Sequence, residues 1–528
     1  MEIAIREEGV SLPDRGLMAK LRGKLVVENG YRCISDPYLC GENELIFNRS
    51  SGAGSNFFVF AEVDRSGKNL QVRFTNPYDG PAFSDVPKDK VIISLDAASE
   101  SQIPGIVEKI LYFSRFKDTH IYRAALHSHL GYVNGKPLWG DGITDDKDWM
   151  RQTMFWNYDI HALTEHNWTQ NEERLSFLDQ KLSSAGIVFV PGWENTTTVY
   201  GEGRHEPEFK SPHILVYCKD IKTAMDAKEA FLKKKIEGKP ITSLTPVLCG
   251  VPRPFDEHIA FLESGHIKGD FVLVFAHPSS HLPGVDILDP NIIAVLGFEK
   301  IWSVLRMADG VEMYNPGEGH GSVDYDMTDK LDNDKSVVAD VLSRMLADHS
   351  LAPCLSPPMI NYMLGLWAEE NQRFSVFGHD DHSLPGIGTP CAYGYGHTCY
   401  MVGPTTMAML RAAGRKPTSS EFVQSIALKM FPGTAEEVSL RAFGYMKMTP
   451  KGPVIIKSRK QAWLGEIIGD ASSFIAYSAH VAKLQLKYLW LRFRKLLGAN
   501  MKVTDLDEVA NEIRKASQKH RYGARPSK

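Results

Sequence analysis

The amino-acid sequence predicts an α/β fold with a parallel sheet or barrel over residues 119–395 of the 528-residue chain. Short apolar runs alternate there with segments of helical length, which is the pattern of repeated strand–helix units. Many of the runs lead into His, Asp or Glu, and such folds carry their functional groups just past the strand ends. Seven runs show this pattern: IYRAALHSH, DIHALTEHN, GIVFVPGWEN, HILVYC, FVLVFAHP, GVEMYNP and FSVFGHDDH.

The two flanking regions differ from this central part. Residues 1–95 alternate β-like runs such as NFFVFAEVD with turn clusters such as NPYDGP, which predicts a β-rich, sandwich-like domain. Residues 96–118 favour a helical connector. We expect residues 396–528 to form a helical C-terminal region with a basic tail, since residues 451–528 contain 16 Lys and Arg against 6 Asp and Glu.

Composition limits the functional class. The formal net charge of −4 gives the whole chain no overall signal for nucleic-acid binding, although the basic C-terminal region keeps that option open. No apolar run is long enough to span a bilayer. The charged N-terminal residues do not resemble a signal peptide, and the seven cysteines include no C-x-x-C pair. We therefore expect a cytoplasmic protein with reduced thiols.

Potential metal ligands cluster at the predicted strand ends. His127 and His129 are one residue apart at the end of a strand-like run, so both side chains point to the same face and can share one ion. An H-x-H pair alone is weak evidence, but further imidazoles and carboxylates follow the other runs. These types suit Zn, Mn or Fe(II), and their surplus indicates more than one ion. The additional candidates are Asp141, Glu165, His166, Glu194, His213, His277, Asp380 and His382.

The order and spacing of these motifs resemble the PHP (polymerase and histidinol phosphatase) family over about residues 120–390. LHSHL is similar to the family's H-x-H, and GDG to its S-D-G after a short insertion. TEH and PGWE correspond to the T-D-H and G-x-E motifs, and two lone histidines follow in order. The closing GHDDH matches G-S-D-x-H, with His379 in place of the serine.

The resemblance implies a distorted (β/α)7 TIM-like barrel whose site holds two or three divalent ions (Zn, Mn or Fe). Glu194, Asp380 and His277 would take the catalytic roles. The ligands of the first two ions, which would share Glu194, are implied to be His127, His129, Glu194 and Asp380 for one ion and Glu194, His213 and His277 for the other.

A third ion would be held by Asp141, His166 and His382. The insertion before GDG leaves Asn134, Asp145 and Asp146 as alternatives to Asp141.

Substrate contacts are expected beside the metal site. The loop YGEGRHEPEFK lies between PGWE and His213, and its Arg204, His205 or Lys210 could bind a substrate anion, since Arg presents a bidentate fork to phosphate. His379, next to a ligand, is a further candidate.

The motifs predict a metal-dependent hydrolase, foremost a phosphoesterase in which a metal-bridging hydroxide attacks a small phosphorylated molecule or nucleotide. One alternative is a carbamate or carboxyl ester hydrolase, because a β-rich domain ahead of a barrel with TEHN is similar to the carbaryl-hydrolase-like branch. A nuclease that binds nucleic acid through the basic C-terminal region and a non-catalytic PHP scaffold are the others. The sequence makes no prediction of the oligomeric state.

Overall fold

The fold consists of a small N-terminal sheet and a large curved sheet surrounded by helices. The structure described here is a computed structural model. The structure describes residues 15–49, 52–63, 69–75, 91–96, 100–114, 120–130, 132–134, 136–137, 145–165, 171–199, 209–233, 253–254, 269–278, 305–314, 357–380, 396–444, 446–449 and 452–455.

The N-terminal part is a five-stranded antiparallel meander with helices on one face. Its helices α1 and α2 pack on that face through residues such as Leu21 and Ile106, so helices take the place of the second sheet of the expected sandwich. The opposite face packs on the rest of the molecule through Ile46 and Phe60. The elements are α1 (Arg15–Arg22), β1 (Arg32–Ile34), β2 (Glu44–Asn48), β3 (Phe58–Val63), β4 (Asn69–Phe74), β5 (Val91–Asp96) and α2 (Ile103–Ser114). Helix α1 continues into a π-helical turn, Gly23–Glu28.

All seven apolar runs predicted as strands are strands of the large sheet. Several are buried along their whole length, as is usual for strands covered on both faces. They are β6 (Ile121–Ala125), β9 (Ile160–Leu163), β10 (Val188–Val199), β11 (Phe209–Cys218), β13 (Phe271–Phe275), β14 (Gly310–Tyr314) and β15 (Phe374–Phe377).

The strand directions differ from the all-parallel expectation. Strands β6, β9 and β10 are parallel to one another, as are β13, β14 and β15. Between these two sets β11 runs antiparallel to both of its neighbours. The fold is therefore mixed α/β, and the N-terminal part of β11 lies at the same end of the sheet as the C-terminal ends of the other strands.

Helices cover the outer face of the large sheet. Their starts and ends follow ordinary capping chemistry: Asn171 caps α4 by accepting from the backbone N–H of Arg174, and Gly186 ends it in the left-handed conformation. Leucines and aromatic residues of these helices form one continuous core with the strands. The helices are α3 (Asp146–Phe155), α4 (Glu172–Ala185), α5 (Ile221–Lys233) and α6 (Pro357–Glu370).

The large sheet continues beyond residue 395, where the sequence predicted a boundary. Strands β16 (Gly396–Met401) and β17 (Ser439–Gly444) extend the sheet from β6. They bring its far edge back to β15, where Thr398 Oγ1 accepts from Phe377 N at 2.9 Å and Ser375 Oγ accepts from Ala442 N at 2.9 Å. The result is a nearly closed, barrel-like sheet. The polar sequences GHTCYM and SLRAFG carry no apolar run that would indicate strands.

Two helices of the C-terminal region, α7 (Pro404–Ala412) and α8 (Ser419–Leu428), complete the inner core of the sheet. Phe422 and Ile426 pack there among strand residues such as Val190 and Val274. Smaller elements are β7 (Tyr132–Val133), β8 (Lys136–Pro137), β12 (Arg253–Pro254), β18 (Met446–Thr449) and β19 (Gly452–Ile455). Of the helices that the structure describes, none has the length and apolarity needed to cross a bilayer.

A buried polar network joins the N-terminal part, the large sheet and the C-terminal helices. Lys416 donates to Gly186 O at 2.7 Å and to Asn56 Oδ1, and its Nζ lies 3.2 Å from Asp159 Oδ1. Burial lowers the pKa of Lys416, while the Asp159 carboxylate opposes that shift. Asp159 itself accepts from the backbone N–H groups of Asn56 and Arg123. The network therefore depends on the charge of one lysine.

Replacing Lys416 with Met is expected to lower the free energy of unfolding by about 3–5 kcal/mol, since it leaves the Asp159 carboxylate buried without its cation. Denaturant unfolding followed by fluorescence measures the change. Lys222→Met is the control, because Lys222 forms only an exposed ion pair with Asp226 and its loss should leave stability unchanged. Equal midpoints for both variants would contradict the role given to Lys416.

Candidate metal centre

The predicted ligands converge because hydrogen bonds tie the strand ends to one another. After β6, Ser128 N donates to Thr164 Oγ1 and Thr164 N donates to Ser128 O, both at 3.0 Å. His127 O accepts from Asp380 N at 3.0 Å. The ends of β6, β9 and β15 are thus held together, and the segment from His127 to His129 has a fixed position.

The first set of potential ligands, which we name group 1, consists of His127, His129, Glu194 and Asp380. All four are buried. His127 Nε2 lies 3.1 Å from both His129 Nε2 and Glu194 Oε2. Asp380 Oδ1 lies 3.4 Å from the Nε2 atoms of His127 and His129. Four ligand atoms therefore face one small volume.

The second set, group 2, consists of Glu194, His213 and His277. Glu194 Oε1 lies 2.7 Å from His213 Nδ1 and 3.1 Å from His277 Nε2. The two ring nitrogens are 3.3 Å apart. His213 reaches this position because β11 runs antiparallel, so a residue in its first half lies at the C-terminal ends of the parallel strands. One carboxylate thus faces group 1 with Oε2 and group 2 with Oε1.

The spacing of the donor atoms fits divalent metals. Bonds of about 2.0–2.2 Å from zinc to nitrogen or oxygen place neighbouring donors about 2.8–3.6 Å apart, for angles between octahedral and tetrahedral. The separations within group 1 fall in this range. Imidazole nitrogen with carboxylate oxygen is also the donor set that Zn, Mn and Fe prefer. Both groups are therefore suited to hold an ion.

The charge distribution also favours a cation. Burial works against the charged form of His127, yet the carboxylates of Glu312, Glu194 and Asp380 raise the pKa of its imidazole well above the ordinary value. Buried carboxylates are costly unless positive charge faces them. Protonated His127 supplies that charge when a metal does not.

The backbone is strained at two of the candidate ligands. His277 has φ of 24° and Asp380 has φ of 47°, both in the left-handed region that non-glycine residues rarely adopt. Such conformations persist where the surrounding contacts determine them, and they concentrate at functional sites.

Two glutamates support the ligands. Glu165 of TEH is fully buried and accepts from Leu130 N, which fixes the chain directly after His129. Glu312 on β14 lies 2.7 Å from His127 Nδ1 and accepts from His277 N at 2.8 Å. Glu312 is not among the ligands predicted from the sequence. The feature that could have identified it is an acidic residue inside the apolar run GVEMY, because an acidic residue that is buried needs a partner.

His379, the further candidate for a substrate contact, lies in a buried environment beside Tyr158. It is fully buried, and its Nε2 lies 2.7 Å from Tyr158 Oη and 3.3 Å from Gly396 O. Burial lowers the pKa of His379 to about 3, so its ring is neutral and carries no charge for an anion.

The remaining predicted residues are only partly covered by the structure. Lys210 occurs in β11 opposite Thr198, and nothing further is described of its side chain. Of the alternatives to Asp141, Asp145 caps α3, and Asp146 accepts from Tyr38 Oη and Asn134 N. Five predicted site residues lie outside the described residues: Asp141, His166, Arg204, His205 and His382.

Comparison with known proteins adds little to this geometry. No family model matches the chain, and no curated protein matches it. One similar solved structure, at 2.40 Å resolution, is of a proposed metal-dependent phosphoesterase from Bifidobacterium adolescentis. The similarity covers 51% of this chain and 89% of that chain, with 14% identity and a TM-score of 0.29. Since similarity at this level carries no argument, the interpretation of the site depends on the residues described above.

We expect the metal-loaded chain to bind at least one ion at each of the two groups. Glu194→Gln should reduce binding at both, because Glu194 belongs to both, whereas His129→Ala should affect group 1 and His213→Ala group 2. Metal content after gel filtration, measured by mass spectrometry, tests this, with the exposed His120→Ala as a control. A wild-type chain free of tightly bound ions would contradict the assignment.

The metal-free protein should lose stability as pH rises. Because the pKa of His127 is raised in the folded state, its stabilising contribution is complete below the unfolded value of about 6.5 and is lost as pH rises through the folded value. Zn²⁺ should restore stability at high pH by supplying the positive charge. Thermal unfolding against pH, with and without Zn²⁺, measures both effects. The same pH slope in His127→Ala would show that another group is responsible.

Proposed function

We propose that this protein is a metal-dependent hydrolase of the PHP type, with a distorted (β/α)7 TIM-like barrel as its scaffold. The observation that carries the proposal is Glu194, whose two carboxylate oxygens face two groups of ligands, all buried except the partly buried His213. A carboxylate shared in this way suits a pair of neighbouring ions. Asp141, His166 and His382 would hold a third ion, as the family resemblance implies.

Two divalent ions at this site would lower the pKa of a water molecule and act as Lewis acids toward the oxygens of an ester. The protein's own contribution is geometric and electrostatic. Glu194 contributes one oxygen to each group, and Asp380 Oδ1 completes group 1 at 3.4 Å from the Nε2 atoms of His127 and His129. Burial of the ligands keeps them out of bulk water, where their attraction for cations would be weaker.

We propose phosphoesters of small molecules or nucleotides as substrates. Hydrolysis of a phosphoester develops negative charge on the phosphoryl oxygens, and catalysis consists mainly of positioning and neutralising that charge. Arg204, His205 and Lys210, in the sequence YGEGRHEPEFK between PGWE and His213, are the proposed anion contacts. This chemistry requires no Ser or Cys nucleophile, and groups 1 and 2 consist of His, Glu and Asp only.

Carbamate and carboxyl esters form the second substrate class, because the same metal chemistry cleaves them and the chain has an N-terminal β-rich part docked on the barrel. A nuclease would use the basic C-terminal region, most of which lies outside the described residues. A non-catalytic scaffold is a fourth possibility, which the complete ligand sets of groups 1 and 2 disfavour.

A hydrolysis screen of the metal-loaded protein distinguishes these functions. It compares aryl phosphomonoesters, cyclic and bisphosphorylated nucleotides and single-stranded nucleic acid with carboxyl and carbamate esters. We expect turnover of a phosphoester, and Asp380→Asn should lower it by at least about 100-fold, since even residues that only support a metal ligand are typically worth 10–100-fold.

The control for the screen is His120→Ala, which changes an exposed histidine away from both groups. Circular dichroism should show that Asp380→Asn keeps the fold. No turnover of any substrate by a protein loaded with two ions would overturn the hydrolase proposal, and turnover of carbamates alone would replace the substrate class.

A further inference from the structure

Glu312 touches both ligand groups without belonging to either. Its side chain is fully buried on β14, with Oε1 2.7 Å from His127 Nδ1 and Oε2 2.8 Å from the His277 backbone nitrogen. We propose that Glu312 is a positioning residue that sets the proton on His127 and the backbone of His277, so that both rings offer a nitrogen to a metal. This inference rests on the proposed function, since it assigns a role within that metal site.

For His127 the argument concerns which ring nitrogen carries the proton. An imidazole binds a metal through an unprotonated nitrogen, and the second nitrogen's partner decides which one that is. His127 Nε2 faces Glu194 and the rest of group 1. The Glu312 carboxylate at Nδ1 can only accept, so it keeps the proton on Nδ1 and leaves Nε2 for an ion.

For His277 the argument concerns the backbone. With φ of 24° this residue is in a strained conformation, and its N–H donates to Glu312 Oε2. The conformation turns the ring so that Nε2 lies 3.1 Å from Glu194 Oε1 in group 2. Without the acceptor the buried N–H would lose its partner, and the strain would have less support.

Gly378 provides the space that this carboxylate occupies. A Cβ at position 378 would overlap Cδ and both carboxylate oxygens of Glu312. The glycine of the GHDDH motif is therefore needed for close approach, and it follows β15 two residues before the candidate ligand Asp380. The position of Glu312 therefore depends on β14, which carries it, and on the glycine that follows the neighbouring strand β15.

Glutamine cannot replace glutamate here, although its size is nearly the same. Glu312 accepts one hydrogen bond on each oxygen, whereas Gln has a single acceptor oxygen and an NH₂ that donates. If the NH₂ faces His127, the ring must carry its proton on Nε2 and cannot bind an ion there. If the NH₂ faces the backbone N–H of His277, two donors face each other and no hydrogen bond can form.

The test is a competition titration of Zn²⁺ against a chelator, on the full chain. Glu312→Gln is expected to weaken Zn²⁺ binding by 10–100-fold, the usual effect of removing such a partner. Glu369→Gln is the matched control: it neutralises a carboxylate that hydrogen-bonds Ser375 on β15 without touching either group, and it should keep wild-type affinity. Nitrogen NMR of the Zn²⁺-loaded protein should show His127 protonated at Nδ1 in wild type and in Glu369→Gln, but not in Glu312→Gln.

Gly378→Ala provides a second, independent variant. It should weaken Zn²⁺ binding as Glu312→Gln does, because the added methyl displaces the carboxylate. In a Glu312→Ala background the same glycine substitution should cost little more, since the overlapping group is gone. Additive losses in the double variant would contradict the link between Gly378 and Glu312.

The outcomes separate the two proposals. A wild-type chain that binds none of Zn²⁺, Mn²⁺ and Fe²⁺ overturns the proposed function, and the positioning role falls with it. A wild-type chain that binds Zn²⁺, together with Glu312→Gln of equal affinity and an unchanged His127 proton, overturns the positioning role alone. Unfolding curves of each metal-free variant identify any loss of affinity that follows from loss of the fold.

Discussion

The arrangement of the whole molecule depends on one costly interaction, the burial of several carboxylates at one end of the sheet. Glu194, Glu312 and Asp380 are all nearly inaccessible, and histidines face each of them. Removing carboxylates from water is expensive unless positive charge compensates for it. In a site of this kind the compensation comes from imidazolium below the raised pKa of His127 or from a bound cation, so the electrostatics of the fold favour a cation here.

The strand directions place these groups. Parallel strands bring the C-terminal ends of β6, β13 and β15 to one end of the sheet, where His127, His277 and Asp380 follow them. The reversal of β11 brings His213, in its first half, to the same end. The opposite part of the interior is filled by apolar residues of α7 and α8. The polar residues can therefore collect at one end without interrupting the core.

Much of this was predictable from sequence because the signals are local. Each of the seven apolar runs forms a strand, and the residues of groups 1 and 2 that follow or begin them lie together. Features that depend on tertiary structure were not predictable. The apolar pattern of β11 does not indicate the direction in which the strand runs. Strands β16 and β17 are polar and gain their stability from pairing with β6 and with each other. Glu312 resembles an acidic residue in an ordinary strand. The place of His379 beside Asp380 in the sequence likewise does not reveal that its ring contacts Tyr158.

The strained backbone conformations of His277 and Asp380 are maintained by the stability of the surrounding barrel. Each is held by a hydrogen bond from its own backbone nitrogen, to Glu312 in one case and to the His127 carbonyl in the other. Strain of about 1–3 kcal/mol per residue is tolerable only when well-packed surroundings fix the chain. The extensive cores on both faces of the sheet supply that packing. A ligand that binds only the native arrangement stabilises it by mass action, so a metal at this site would offset both the strain and the buried charge.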